Sequence, residues 1–546
     1  MLGVEMKRAS ARHVLLATAA LSLVWTCAEA RPRHVKSAQP DPRDAEIQLL
    51  KDQVTALAAK VDALQARADA PPPAPAPAPP PAPAPAPVAV IQTPAPASFP
   101  TAGGATIVAG KPSIQSADGR FTANLHAVMQ FDAADYQQST PGPITTDFRR
   151  GATAADTAHA RDLSSGTNFR RARIGLDGKA FGDWEYSFLL DYGGAGEEDA
   201  AHIQELWVQY SGLKPFHFKV GAYPPSIGLE DQGSTSGQLF LERPASADIA
   251  RSLAGGDFRE GASIWAAGDW WYISTSLTGR LVGVVNSQAT GVAQPFDSQL
   301  GLIGRAGFLP WKSEAGMLEV GVHGSYVARP ADIGGPDTAA GATRYSVTFQ
   351  ERPELRVDGT RLISTGAINA QHASTAGLEA AFEYGGLFVQ SEYERFKVER
   401  RNGVGLPDPD FTGYYVEGSY NLTGDRRRFN ANTWAFDAPN VSHPFSLADH
   451  TWGGFEIAGR YSDIDLNYHA GALGTAPGAD AIRGGEQKIW AAGLNWFPNS
   501  VVRFMLDYQN VRIERLSPSA ATFATPTGVE VGQRYHVISL RSQFAF

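Results

Sequence analysis

The sequence predicts an all-β protein: a sixteen-stranded antiparallel transmembrane β-barrel, preceded by a short N-terminal coiled-coil helix and a Pro/Ala-rich linker. Three observations carry this. In residues 534–546, His536, Ile538, Leu540, Ser542, Phe544 and Phe546 alternate with Tyr535, Val537, Ser539, Arg541 and Gln543, which puts a greasy set on one face of a strand and a polar set on the other. A final strand of this kind has an open edge, and in a closed barrel the first strand pairs with it. Past the N-terminus no run of about 18 apolar residues occurs, so spanning helices are excluded. Lastly, the connections between candidate strands alternate between tight and long, as expected of a barrel with both termini on one side.

Taken in order, the chain begins with an export signal, residues 1–30. Lys7, Arg8 and Arg12 precede an apolar run over 14–25, and Ala28-Glu29-Ala30 offers the small-x-small pattern for cleavage. Cys27, the single cysteine, falls inside this signal, so the mature chain would carry no disulfide, thiol nucleophile or thiolate metal site. After a segment at 31–43, residues 44–68 read as a coiled coil. Ile47, Leu50, Val54, Leu57, Val61 and Leu64 follow a 3-4-3-4-3 spacing, and the β-branched residues with Leu lean towards a dimer. Residues 69–110 are a linker dominated by Pro and Ala, which favours extended polyproline II; thirty such residues could span ~90 Å. The coiled coil could thus reach a periplasmic or peptidoglycan partner.

The barrel occupies 111–546. Phe121, Ala123, Leu125, Ala127, Met129 and Phe131 alternate with Thr122, Asn124, His126 and Gln130, and the same alternation recurs from Asp183 to Tyr192. Charges fall on one face only, which suits a water-filled lumen. Strand starts are expected near 120, 168, 183, 203, 216, 260, 270, 299, 318, 376, 387, 411, 453, 486, 501 and 534. A further candidate at 354–358 is short and follows Pro353, so it is assigned to a loop. One connection, 422–452, follows an even strand yet is long. It is either an extended periplasmic turn or a local misassignment.

The loop after the fifth strand, about 224–259, leaves through Pro224-Pro225 and carries Arg243, Arg251 and Arg259. It is read as a constriction folded into the lumen. Parity places Arg171, Arg173 and Asp177 on the lumen face of the second strand, with Lys219, Arg305, Arg460, Arg503 and Arg541 inward on theirs. Arg170 has lipid-side parity and is left out. Guanidinium groups suit small anions because their planar fork donates two hydrogen bonds at once. Against this, acidic residues outnumber Lys and Arg from Lys111 onward, and Glu185, Asp191, Glu205, Glu319, Glu379, Glu392, Glu417 and Glu456 share lumen parity.

The run NFRRARIGLDGKAFGDWEYSFLLDY, the Leu213-Lys214-Pro215 turn before Val-Gly-Ala-Tyr, LERP at 241–244, GDFREG at 256–261, PFSL before GGFEIAGRYS, and the aromatic C-terminus resemble the phosphate-selective porin O/P family, over about 120–546. The resemblance implies a homotrimeric porin in outer-membrane lipid that passes phosphate or other small anions along arginines and lysines. Its expected anion path is Arg171, Arg173, Arg243, Arg251 and Arg259. Where the family shows a lysine after the fifth strand, this chain has Pro224. A general or cation-preferring porin on the same scaffold is therefore the alternative.

No enzyme is expected. The chain has no G-x-S-x-G, H-E-x-x-H or phosphate-binding glycine loop, and His126, His217, His323 and His536 are scattered singly and read as wall or girdle residues. No catalytic residue, cofactor, metal or nucleic acid is implied. A third class is a tether whose coiled coil carries the function and whose barrel is too plugged to conduct.

Overall fold

A computed structural model describes residues 104–108, 111–138, 163–194, 202–254, 259–282, 297–334, 344–401, 405–517 and 528–546. The expected signal, the expected coiled coil and all but the last few residues of the expected linker lie outside these. Sixteen antiparallel strands close a barrel: β1 (Thr122–Gln137), β2 (Gly166–Ala180), β3 (Trp184–Asp191), β4 (His202–Leu213), β5 (Phe216–Tyr223), β6 (Arg259–Ala267), β7 (Trp271–Leu281), β8 (Leu300–Lys312), β9 (Gly316–Arg329), β10 (Ile368–Tyr384), β11 (Leu387–Arg400), β12 (Asp410–Asn421), β13 (Gly454–Tyr468), β14 (Ile482–Phe497), β15 (Val502–Glu514) and β16 (Arg534–Ala545). Each pairs with the next, and β16 closes on β1, with Leu540 opposite Ala133 and Arg541 opposite Asp132. At its lower end β1 instead pairs with Lys111–Gln115, which forms a hairpin with Ala105–Val108.

Every expected strand is present. The largest difference is β10, which starts at Ile368 rather than near 376; its first three residues are all buried, and a register shift falls between Ala370 and His372. The outer surface is apolar, with Leu540, Trp490 and Leu378 among its exposed side chains. Aromatic rings gather near the strand ends on the tight-turn side, as in Trp184 with Tyr210, Trp311 with Phe382 and Trp496 with Phe504. A Leu540→Arg substitution, on this surface near the middle of β16, is expected to cost ~2–4 kcal/mol, read as a lower midpoint of heat unfolding in detergent.

The interior departs from the expectation of a water-filled lumen. On the long-loop side the inward residues are apolar, including Phe396, Val398, Phe411, Ile464, Ile489, Val511 and Val537, and they form one buried cluster. Inserted segments supply its other half. The connection between β5 and β6 carries α1 (Leu229–Gln232) and α2 (Ala245–Leu253) into the barrel, where Ile249, Ala250 and Leu253 join the cluster. The connection between β9 and β10 adds Phe349, Leu355, Leu362 and Ile363. Residues 354–358 lie in this connection, outside any strand.

The connection 422–453 is a third insertion, from the tight-turn end. It contains a hairpin, Arg427–Asn430 paired with Ala435–Pro439. Trp434 at its tip is fully buried against Tyr272 and Leu309. Hairpin and β5–β6 loop meet in the lumen, where Phe436 joins Leu239 and Phe240 in a second apolar cluster and Arg427 Nη1 donates to the Gly237 carbonyl at 2.8 Å.

Candidate pore constriction

Three wall arginines and one from the inserted hairpin hold the β5–β6 loop by its backbone. Arg503 donates to the carbonyls of Gln238 (2.7 Å) and Ser236 (3.1 Å), Arg460 to Glu242 (2.8 Å), and Arg541 to Leu241. Arg427 completes the set at Gly237, while Asn495 and Asp507 bind the Leu239 carbonyl and the Leu241 N–H. A loop buried in a barrel has backbone polar groups that neither helix nor sheet satisfies, and the inward side chains of the wall satisfy them here. The expected inward arginines thus face the lumen, and several of them bind the loop.

Glu242 lies at the centre of the charged network. Arg170 donates to both of its oxygens (2.7 and 3.1 Å), Arg541 donates at 2.9 Å and Arg356 approaches to 3.6 Å. Burial alone would raise this carboxyl's pKa. The guanidiniums of Arg170, Arg171, Arg541 and Arg356 more than reverse that and hold it well below the usual carboxylate range. Arg541 also grips Asp132, with both bonds at 2.6 Å.

Exclusion of Arg170 from the lumen is corrected by the structure. Gln130 pairs with Arg171 but Phe131 pairs with Phe169, so Arg170 is the extra residue of a β-bulge. The bulge turns Arg170 and Arg171 inward together, while Phe169 stays on the lipid face. Parity counts along a regular strand and has no signal for a bulge.

Of the five residues expected on the anion path, four fall into two sets of contacts. Arg171 donates to Gln130 (2.6 Å), and Arg173 pairs with Asp191 (2.7 Å) and reaches Thr235 of the loop (3.4 Å). Arg251 binds Asp231 and Asp248, Arg243 lies 3.9 Å from the same Asp231, and Asp248 leads through Arg356 to Glu242. Arg259 stands apart. It donates to the carbonyls of Gly279 (3.0 Å) and Ser252 (3.1 Å), at the exit of the loop.

Across the lumen, on β9 to β11, the wall is acidic. Glu319, Glu379, Glu392 and Glu394 are buried there beside Arg305 and His323. His323 is no isolated wall residue: its ring nitrogens lie 2.8 Å from Glu379 and 2.6 Å from Glu394. His323, Glu379 and Glu392 bring potential ligand atoms within 4.8 Å of one another. Those atoms are already engaged, by Arg305, Tyr415 and the N–H of Leu229, so the group ties wall to loop.

A closed barrel with a lipid-facing apolar surface, an aromatic rim and a loop folded into a charged lumen defines a porin of the bacterial outer membrane. The family model described as phosphate-selective porin O and P matches residues 144–546, and the chain belongs to that family. It is 25% identical to Porin O of Pseudomonas aeruginosa over 433 residues, covering 76% of this chain and 90% of that one. It is 26% identical to an uncharacterized protein of Caulobacter vibrioides over 476 residues, covering 87% and 86%. Among solved structures it resembles the anion-selective porin from Comamonas acidovorans, at 11% identity and a TM-score of 0.43, over 78% of this chain and all of that one. It also resembles the outer membrane channel DcaP of Acinetobacter baumannii, at 9% identity and a TM-score of 0.41, over 79% and 99%.

Proposed function

We propose that this porin passes small anions, phosphate or polyphosphate among them, by passive diffusion, and that it works as a homotrimer. The observation that carries the reading is the transverse polarity of the lumen. Guanidiniums crowd Glu242 on the side of β16, β1 and β2, while carboxylates crowd β9 to β11 opposite. An anion crossing such a field is drawn to one wall, and distant acids matter little because screening limits a charge's reach to ~8 Å at physiological salt. Arg171 and Arg173 form the wall side of the path. Arg243, Arg251 and Arg259 contribute from the loop that narrows it. No catalysis, cofactor or nucleic acid belongs to this reading.

The test is reversal potential in a salt gradient across a planar bilayer. Chloride is expected to be preferred to potassium, and phosphate to block chloride current. Arg171→Ala with Arg173→Ala should shift the reversal potential towards cations and weaken that block. Cation preference in the unmutated protein would instead make it a general or cation porin. The filled lumen favours one further reading, a tether whose barrel does not conduct; absence of any conductance would select it. The trimer is supported by the family resemblance, and the heptad seam reinforces it. Deleting residues 31–100 is expected to leave trimers, and monomers after that deletion would refute this.

A further inference from the structure

Between the constriction loop and the periplasmic hairpin the lumen keeps a cavity of about 200 Å³. It is bounded by the inner wall of β3 to β7, by Pro224, Ser226 and Gln232 of the loop, and by Asn432 and Thr433 of the hairpin. Both insertions border it, so a solute following this wall passes it where loop and hairpin approach β3 to β7.

Its lining differs from the arginine network. None of Arg171, Arg173, Arg243, Arg251 and Arg259 borders it, and its charged side chains are Lys219 and Glu185, one of each sign. Ser263, Ser274 and Ser276 present hydroxyls from β6 and β7. The indoles of Trp207 and Trp265 supply flat apolar surface, and neighbours fix both. Lys219 Nζ lies 4.2 Å from the Trp207 ring centroid, and His217 stacks on Trp265 at 3.8 Å with planes 5° apart. Trp265 Nε1 donates to Gln209 at 2.9 Å, and Gln209 donates to Glu185 at 2.9 Å. The site is therefore neutral overall, with rings held by their neighbours and hydrogen-bonding groups beside them on the same and adjacent strands.

We infer that this cavity is a binding subsite for one neutral polyhydroxylated ring, a monosaccharide-sized solute, so that the porin also conducts small sugars. A pyranose has the matching surfaces: an apolar C–H face for an indole and peripheral hydroxyls for serine and amide groups. A solute without hydroxyls forms no bonds to those serines and binds more weakly, which is how such a site discriminates. The volume lies below the ~300–1,000 Å³ of sites for drug-sized ligands, which limits the occupant to one ring. The inference rests on the porin reading and is independent of its anion selectivity.

The experiment uses the full-length protein in a planar bilayer, with D-glucose as the probe. Chloride current should fall saturably with glucose, with resolved closures. Ser263→Ala with Ser276→Ala should raise the half-blocking concentration ~10-fold, and Trp265→Ala at least as much, while any phosphate block is unchanged. The serine pair keeps the test sound if Trp265→Ala fails to assemble. A linear fall in current, as from viscosity, or a saturable block that the serine and tryptophan variants do not alter would overturn the inference. Saturable glucose block in a channel that prefers cations would uphold this subsite while rejecting the anion reading.

Discussion

Glu242→Ala is expected to release the constriction loop and raise single-channel conductance several-fold. The carboxylate is shared by Arg170, Arg356 and Arg541, and no other carboxylate is hydrogen-bonded to Arg170 among the described residues. Removing one partner of a buried ionic cluster leaves charge without a counterpart, typically at a cost of ~3–5 kcal/mol. That cost falls on the contact between loop and wall, so the loop should detach before the barrel opens. Heat-modifiable migration should persist at room temperature while the conductance rises and fluctuates. An unaltered conductance would show that the backbone bonds from Arg460, Arg503 and Arg541 hold the loop without Glu242.

The same group gives a pH dependence whose sign follows from its depressed pKa. A carboxyl held below its ordinary value of 4.5 stabilises the folded state fully above that value, and loses the contribution as pH falls through the folded pKa. Conductance of the unmutated channel should therefore be insensitive to this group between pH 5 and 7, with loop release only in stronger acid. The transition should be absent from Glu242→Ala.

Gly307→Leu is expected to expel Trp434 and widen the periplasmic half of the pore. A Cβ at Gly307 would sit 2.2 Å from Trp434 Nε1 and 3.0 Å from a Glu319 oxygen, closer than packing permits. The indole is fully buried, and its own backbone lies at a φ of 53°, which a bulky residue adopts only where its surroundings impose it. Arg305 imposes it, donating to the carbonyls of Thr433 (2.9 Å) and Trp434 (2.8 Å). Displacing a buried tryptophan costs on the order of 3–5 kcal/mol, enough to unseat a short hairpin. Tryptophan emission should shift to the red and conductance rise together. Red-shifted emission without a conductance change would place the hairpin outside the limiting part of the path.

The barrel was legible in the chain because period-two alternation is local and every strand repeats it. Ile538, Leu540 and Phe544 advertise a lipid face without knowledge of any partner. The interior was harder to read for two reasons. Tyr535 and Val537 point inward but are apolar, because inserted segments meet them there, and nothing in a strand's own pattern reports what another segment will cover. Arg503, Arg460 and Arg541 were recognisable as inward, yet whether a guanidinium meets water or a carbonyl depends on where the loop lies. The bulge at Arg170 and the engaged pair of His323 ring nitrogens are of the same kind, set by register and by neighbours remote in sequence. The long connection 422–453 was visible as an anomaly of length, and its depth in the barrel rests on the contacts of Trp434.

Closure of β16 on β1 has a consequence for biogenesis. The two strands join residues more than four hundred positions apart, as in the 2.7 Å bond between Gln130 and Gln543. Pairings of such separation form late, since the intervening chain must first be confined. Arg541 lies on that final strand, and it clasps Asp132, Glu242 and the Leu241 carbonyl. The side chain that seals the seam is thus also a latch on the plug. An assembling barrel would keep a slack plug until its last hairpin docks, so sealing the wall and setting the bore become one event.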